Sequence, residues 1–338
     1  MKKINVAIIG AGLMGQKRAE AVLKIPECKL AYVYDIQKQT SANFATKFRC
    51  EISKSIDDII NNRFIDIVFL CIRHKDAAKL APLILSKKNL LLEKPVGRNY
   101  QECRKIVDSA LKNKTLLFAG FNYHFYPHIS ELEKTISGGN LGEIISSRFV
   151  IGHAAFPGYE KTWKMNKNLC GGGVILDPGI HMIDLMISFF GYPKSFNTTI
   201  NNIGWKTEVE DEVSILFKFK KNSFSTHHYS LNFAKNKLEI EIIGTKGVAR
   251  ATGRGGNYGP MKFEYIPRWH WKRALKIKEK IFGNEDSSFY NELLYYFHNW
   301  KFPEKIRSKY NTYKLSMKLI DSLFEASDNK RIKLYYSS

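Results

Sequence analysis

The chain has 338 residues, of which 44% are hydrophobic and 25% are charged, a composition typical of a folded globular protein. This length is more than one compact core usually serves, so we expect two domains. No apolar run reaches the roughly 18 residues that a membrane-spanning helix needs, and the N-terminal residues do not read as a signal peptide. The expectation is a cytoplasmic protein that binds no membrane.

The net charge is +21, which raises the question of nucleic-acid binding. The basic residues are spread along the chain, without a basic tail or a known nucleic-acid motif, so we expect no nucleic-acid partner. Two interpretations stay open: a lysine-rich surface, or a positive field that attracts an anionic small substrate. The cysteines are scattered, odd in number and without paired spacing, which predicts reduced thiols and no metal site. They are Cys28, Cys50, Cys71, Cys103 and Cys170.

Short β-branched runs alternate with helix-like segments through the first 122 residues. This rhythm is typical of a doubly wound parallel sheet with crossover helices. We therefore predict an α/β domain over residues 1–122, of the Rossmann type. The predicted strands are 4–10, 29–35, 66–72, 89–95 and 115–122, and the predicted helices are 16–25, 41–48, 77–88 and 100–113.

The pattern changes after residue 122, where alternating runs resemble hairpins. We predict a second domain over residues 123–338, of the α+β type with a mostly antiparallel sheet. The predicted helices are 128–137, 287–300 and 311–328, and the β-like runs are 144–152, 211–231 and 238–253.

Three glycines, Gly10, Gly12 and Gly15, interrupt the first strand where a helix begins, in the stretch GAGLMG. In a βαβ unit this spacing makes a tight turn, lets the backbone approach a pyrophosphate and packs the helix on the strand. The helix N-terminus stabilises the phosphate charge. Asp35 ends the second strand, at the distance expected for a ribose-binding carboxylate, and favours NAD over NADP. Each interpretation has an alternative. The glycines can form a plain turn, and Asp35 can be a solvated carboxylate. Lys38 lies close enough in the sequence to offer a cation that would accept the 2′-phosphate of NADP.

Two further clusters carry candidate chemistry. Lys94 lies in EKP at the carboxyl end of the fourth strand, where ligands of such sheets bind, although a surface lysine is the plainer interpretation. In CGGGVILDPGIHMID, Asp177 precedes Pro178 and is expected to cap a helix. His181 follows four residues later, so both side chains are expected on one helix face, where a carboxylate would orient an imidazole base. A satisfied interior histidine is the alternative.

These motifs, with the later EIIGTKGVARATG, resemble the glucose–fructose oxidoreductase, inositol dehydrogenase and rhizopine-catabolism (Gfo/Idh/MocA) oxidoreductase family over nearly the whole chain. The resemblance implies a nicotinamide cofactor, a sugar or polyol substrate between two domains, and a homo-oligomer formed through an open sheet face. It implies a lysine role for Lys94 and an acid/base role for Asp177 and His181.

Two positions depart from the family pattern. Arg73 and His74 follow the third strand where many members carry Thr-Pro, and His124 replaces an arginine after the fifth strand. The residues assigned to the cofactor are Gly10, Gly12, Leu13, Met14, Gly15, Asp35, Cys71, Arg73, His74, Glu93, Lys94 and Asn122.

The segment HAAFPGYEKTWKMNKN leads into the glycine-rich cluster and resembles that of members acting on nucleotide-linked sugars of surface-polysaccharide pathways. With the basic charge it favours an activated or phosphorylated sugar, whose phosphates would meet Lys161, Lys164 and Lys167. A mixed polar loop, a free-polyol dehydrogenase and a non-catalytic dinucleotide sensor are the alternatives. The residues assigned to the substrate are Lys94, Tyr123, His124, Tyr159, Trp163, Lys164, Asp177 and His181.

Overall fold

The computed structural model describes residues 3–268 and 276–328 of the chain. Its backbone divides into two compact units. The first comprises the chain up to Ser130 with two later segments, Asn168–Gly171 and Glu285–Lys314. The second comprises Glu131–Lys167, Gly172–Asn284 and the chain from Leu315 onward. All strands of the first sheet precede residue 122 in the chain, and all strands of the second sheet follow it. Residues 285–314 belong to the first unit although they come late in the chain, which the order of the predicted elements did not indicate.

The first unit is built on a six-stranded sheet in the order β3-β2-β1-β4-β5-β6, with every neighbouring pair parallel. This is the doubly wound order, with its reversal between β1 and β4. The predicted Rossmann fold is thus confirmed, and the short β3 is an additional edge strand. The strands are β1 Ile4–Ile9, β2 Cys28–Tyr34, β3 Glu51–Ile52, β4 Ile67–Leu70, β5 Asn89–Leu92 and β6 Leu117–Ala119.

Crossover helices connect these strands, and side-chain caps define where some of them start. The Ser55 hydroxyl accepts a hydrogen bond from the Asp58 amide at 3.0 Å, and the Asn99 side chain accepts one from the Glu102 amide at 2.9 Å. The helices up to the sheet of the second unit are α1 Leu13–Leu23, α2 Lys38–Phe48, α3 Ile56–Asn61, α4 His74–Leu85, α5 Tyr100–Lys112 and α6 Pro127–Ser137.

The second unit contains an eight-stranded sheet in the order β14-β13-β12-β11-β7-β10-β9-β8. All neighbours are antiparallel except β7 and β10, which confirms the predicted mostly antiparallel sheet. Strands such as β11 alternate buried and half-exposed residues, so one face carries the core. The strands are β7 Ile144–Gly152, β8 Ser195–Asn201, β9 Glu212–Lys218, β10 Phe224–Ser230, β11 Lys237–Gly244, β12 Gly247–Thr252, β13 Met261–Pro267 and β14 Lys278–Gly283.

The sequence pattern missed β8, β13 and β14. Strand β8 reads SFNTTIN and has no continuous apolar run, and it is recognisable only by its pairing with β9. The remaining helices are α7 Lys167–Cys170, α8 Ile180–Phe190, α9 Ser288–His298, α10 Pro303–Arg307 and α11 Tyr310–Asp328.

Helix α8 is buried nearly all round, from Ile180 to Ile187. The stretch Lys167–Phe190 is long and apolar enough to cross a membrane by length and composition alone, but 78% of its most apolar window is buried in the fold. Burial of this kind is what the core helix of a globular domain shows.

Candidate functional site

The turn between β1 and α1 can be built only from small residues. Gly10 has a φ of +98°, and a Cβ there would lie 2.3 Å from the carbonyl oxygen of Cys71. A Cβ on Gly15 would lie 2.0 Å from the Gly10 oxygen, so the first and third glycines are required by the packing of helix on strand. Around a Cβ on Gly12, in contrast, there is nothing within 4 Å among the described residues.

Gly12 is also the N-cap of α1, and no side chain of the described residues caps it. The start of α1 therefore combines an uncapped first turn with open space at Gly12, which is the arrangement that receives a phosphate in dinucleotide-binding sheets. Leu13 is 73% exposed and Met14 is half-exposed beside it. These observations fit a nicotinamide dinucleotide, whose pyrophosphate needs backbone approach at the second glycine.

Asp35 follows β2 and braces this turn. Its carboxylate accepts hydrogen bonds from the amides of Ala11 and Gln37, both at 2.9 Å. A carboxylate has about four acceptor positions, so two backbone contacts leave capacity for ribose hydroxyls. The structure thus brings the predicted ribose ligand to the glycine turn.

The residues after β4 have neighbours of their own. The Arg73 guanidinium forms an ion pair with Asp76 at 2.8 Å and is half-exposed. His74 begins α4, and its Nδ1 lies 2.8 Å from the backbone oxygen of Cys170. Burial raises the pKa of the Cys71 thiol well above its ordinary value, so the side chain stays protonated at neutral pH. A contact of Cys71 with the cofactor would therefore be made by its backbone and not by a thiolate.

Glu93 follows β5 and lies against a buried arginine. Its carboxylate accepts from Arg18 Nε at 2.5 Å, and the same guanidinium also donates to Glu292. Arg18 and Glu292 are both 0% exposed. The assignment of Glu93 to the cofactor stays a prediction, and this carboxylate has a structural partner that the sequence did not indicate. Lys94 is half-buried next to it and precedes Pro95 through a cis peptide bond.

The residues after β6 form a 3₁₀ turn, Asn122–Phe125. The Asn122 amide donates to the Ser288 hydroxyl at 2.7 Å, and both groups are buried. Tyr123 is 2% exposed and His124 is half-exposed. Of Asn122, Tyr123 and His124, the histidine is therefore the most exposed to solvent.

In the second unit, Asp177 corrects two predictions. It is not the N-cap of α8, because Gly179 holds that position and Asp177 has extended backbone angles, φ −147° and ψ 99°. It lies in the π-helical turn Ile175–Gly179, before the helix that carries His181, so the two side chains do not share a helix face. The Asp177–Pro178 bond is cis.

The Asp177 carboxylate pairs with Lys164, whose ammonium donates to it at 2.5 Å. This carboxylate raises the pKa of Lys164, so the lysine remains charged at all physiological pH values. Lys164 comes from the loop after β7, and Tyr159 of the same loop also acts on it electrostatically. The structure therefore unites two of the assigned substrate residues.

The other assigned residues of the second unit differ in exposure. Tyr159 is 6% exposed, with edge contacts to Phe156 and Trp205, so its ring supports the loop. Trp163 is half-buried. His181 is 3% exposed on the first turn of α8. Their roles toward a substrate stay predictions.

Glu210 is a residue that the sequence analysis missed. It is buried, and its carboxylate accepts from the amides of Gly173 at 2.8 Å and Ile175 at 3.0 Å. A Cβ on Gly173 would lie 2.0 Å from the backbone oxygen of Glu210, so a glycine is needed where these two backbone segments approach each other. Desolvation raises the pKa of Glu210. The glutamate anchors the glycine-rich segment that leads to Asp177, and the acidic run EVEDE, which ends at the first residue of β9, was its only sequence signal.

No group of three or more His, Cys, Asp or Glu side chains in residues 3–268 and 276–328 is arranged to hold a metal ion.

Two family models match the chain. One is described as an oxidoreductase family with an NAD-binding Rossmann fold and matches residues 4–121. The other is the GFO/IDH/MocA C-terminal domain and matches residues 129–250. The two matches follow one another along the chain in the expected order.

Individual relatives agree with these matches. The glucose-6-phosphate 3-dehydrogenase of Bacillus subtilis is 29% identical over 193 residues, which are 56% of this chain and 54% of that protein. The structure of levoglucosan dehydrogenase with NADH and levoglucosan superposes with a TM-score of 0.84 at 18% identity, covering 98% of each chain. The 3-ketoreductase KijD10 of Actinomadura kijaniata, in complex with NADP and TDP-benzene, gives a TM-score of 0.81 at 14% identity and covers 96% of this chain and 98% of its own. The chain belongs to the Gfo/Idh/MocA family and is an NAD(P)-dependent oxidoreductase.

Proposed function

We propose that this protein transfers hydride between NAD(P) and a secondary hydroxyl or ketone of a nucleotide-linked or phosphorylated sugar. The observation that carries the substrate class is the ion pair of Lys164 with Asp177, because it puts a permanent cation beside one of the proposed acid/base residues. A charged lysine at that position suits an anionic group on the substrate.

The cofactor part of the proposal rests on the glycine turn and Asp35. The open space at Gly12 is where a pyrophosphate would lie, and the amides that begin α1 would hold it. Asp35, already held by the Ala11 amide, would accept from ribose hydroxyls. Because a carboxylate repels a 2′-phosphate, we propose NAD as the preferred cofactor.

The chemistry proposed for the side chains is proton transfer. His181 accepts the proton of the sugar hydroxyl, Asp177 stabilises the charge that develops, and Lys94 donates a hydrogen bond to the reacting oxygen. The nicotinamide supplies the hydride chemistry when bound. His181 is nearly excluded from water, and charge interactions of an imidazolium are stronger where water is excluded.

The names of relatives support a sugar substrate and differ in its charge. One acts on glucose 6-phosphate and another was crystallised with a TDP ligand, whereas levoglucosan is an uncharged sugar. A free-polyol dehydrogenase is therefore the competing outcome of the test below.

The test is a substrate screen with NAD and NADP that compares sugar phosphates, nucleotide sugars and the unphosphorylated parent sugars. We expect kcat/KM to be at least tenfold higher for one phosphorylated class. Lys164→Met is expected to lower that kcat/KM at least tenfold, because a charged hydrogen bond is worth ~1.5–3 kcal/mol. Lys194→Met is the matched control. Lys194 is exposed and directly precedes β8, whose first residue pairs with Lys218. It therefore lies at the opposite end of this strand pair from Glu212. Turnover of free polyols alone would overturn the proposed substrate class.

A further inference from the structure

A glycine-rich loop between β12 and β13, residues 253–260 with the sequence GRGGNYGP, has a built conformation. Its backbone closes on itself, because the amides of Arg254 and Gly255 both donate to the Gly259 oxygen, at 3.3 and 2.8 Å. A Cβ on Gly253 would lie 2.0 Å from the oxygen of Pro260, so a side chain is excluded there. The glycines with positive φ are Gly253, Gly255, Gly256 and Gly259. A loop that needs four such residues is shaped by its sequence and not merely a connection.

The register of the sheet puts this loop at the end of the sheet where the segment that carries Lys164 begins. Thr252, the last residue of β12, pairs with Glu239 near the start of β11. Lys237, which begins β11, pairs with Gly152, the last residue of β7. The loop 253–260 and the loop after β7 that carries Lys164 therefore leave the sheet at the same end.

Two side chains of the loop are arranged for anion binding. The Arg254 guanidinium carbon lies 4.0 Å from the centroid of the Tyr258 ring, and both residues are half-buried. The ring restrains the position of the guanidinium above it, and the planar fork of guanidinium N–H groups matches two oxygens of a phosphate. Tyr258 also contributes to the raised pKa of Lys164, which agrees with the placement given by the sheet register.

We propose that Arg254, positioned by Tyr258, binds a phosphoryl group of the substrate and forms with Lys164 a phosphate subsite at this end of the sheet. The ligand is a phosphate ester or diphosphate attached to a sugar, and the inference rests on the proposed function above. Lys164 would contact the phosphate as a point charge, whereas Arg254 would contact it through two parallel hydrogen bonds.

The direct test is calorimetric binding of uridine diphosphate and inorganic pyrophosphate to the full chain saturated with NADH, so that the dinucleotide site is filled. Arg254→Met is expected to weaken binding at least tenfold while the affinity for NADH stays within twofold. Arg254→Lys, which keeps the charge and loses the fork, is expected to weaken it about three- to tenfold. It also tests the subsite if the methionine variant fails to fold.

Arg268→Met is the matched control. Arg268 is an exposed arginine beyond the opposite end of β13, and its guanidinium donates to the Thr245 oxygen at 3.1 Å. Its loss is expected to leave phosphate binding unchanged. Equal losses for Arg254→Met and Arg268→Met would mean that only net charge matters, and unchanged binding in Arg254→Met would also overturn the subsite.

Kinetics separates this failure from failure of the proposed function. Arg254→Met is expected to lower kcat/KM for the phosphorylated substrate at least tenfold and for its unphosphorylated parent less than twofold. If the wild-type protein prefers phosphorylated sugars and Arg254→Met changes both substrates alike, the subsite is wrong and the function stands. If the wild-type protein turns over only free sugars and binds neither diphosphate, both are wrong.

Discussion

Replacing Glu292 by Gln tests how the first unit carries a charge in its core. Arg18 is fully buried and its guanidinium serves two carboxylates, Glu93 and Glu292. One cation cannot neutralise both, and one oxygen of Glu292 has no hydrogen-bond partner within the described residues. Burial, together with the negative charge of Glu93, raises the pKa of Glu292 from 4.5 to about 7.

The sign of the resulting pH dependence follows from linkage. A carboxyl group whose pKa is raised by folding contributes stability that is complete below its unfolded pKa and is lost as the pH rises through its folded value. With values of 4.5 and about 7, the loss between pH 5 and pH 8 amounts to about 2–3 kcal/mol for this one group. Gln cannot ionise, so Glu292→Gln should lack this loss.

The assay is urea unfolding of both proteins at pH 5, 6, 7 and 8. We expect the free energy of unfolding of the variant, relative to wild type, to improve by about 2–3 kcal/mol across this range. Glu20→Gln is the control, because Glu20 lies on helix α1 together with Arg18 but has a side chain that is 56% exposed. Its free energy of unfolding relative to wild type should be nearly constant over this pH range. A variant that becomes steadily less stable than wild type as the pH rises would refute the reasoning, because Arg18 would then hold Glu292 ionised with a lowered pKa.

Three further predictions concern the cofactor turn and the second unit. Gly12→Ala should fold and lose no more than about 1 kcal/mol of stability, since its Cβ meets no described residue within 4 Å and Ala is only a poorer N-cap than Gly. It should bind NADH at least tenfold more weakly in a fluorescence titration. Gly10→Ala, with its Cβ 2.3 Å from the Cys71 oxygen, should lose at least ~2 kcal/mol of stability. Asp35→Ser should lower the dissociation constant of NADPH, divided by that of NADH, at least tenfold. An unchanged ratio would show that Asp35 is not part of the ribose site. Burial lowers the pKa of His227 from 6.5 to about 3, so its contribution to stability is present above pH 6.5 and is lost as the pH falls through 3; His227→Gln should abolish about 3 kcal/mol of the acid destabilisation between pH 7 and pH 4, measured by urea unfolding.

The correction at Asp177 shows the limit of local patterns. Asp followed by Pro is a frequent helix start, so the sequence predicted an N-cap. The carboxylate instead pairs with Lys164, thirteen positions earlier in the chain, and the helix begins at Ile180. A capping signal records only local preferences, whereas a charged partner from another loop competes for the same carboxylate.

The fold class and the glycine turn were predictable because they depend on neighbours in the sequence. The apolar run of β1, the glycines that follow it and Asp35 after β2 belong to one βαβ unit of short span, so periodicity and spacing determine their arrangement. The mostly antiparallel second sheet was predictable from its alternating hairpins, although β8 was not, because its pairing with β9 outweighs its polar composition.

What only the tertiary structure decided is which charged groups meet. Arg18 contacts Glu292, which is 274 positions away in the chain, and Glu210 reaches back 37 positions to the amide of Gly173. In the sequence these are ordinary charged residues on a helix or beside a strand. They become a buried network because the backbone brings them together where water is excluded, and there each charge must find a partner or change its pKa.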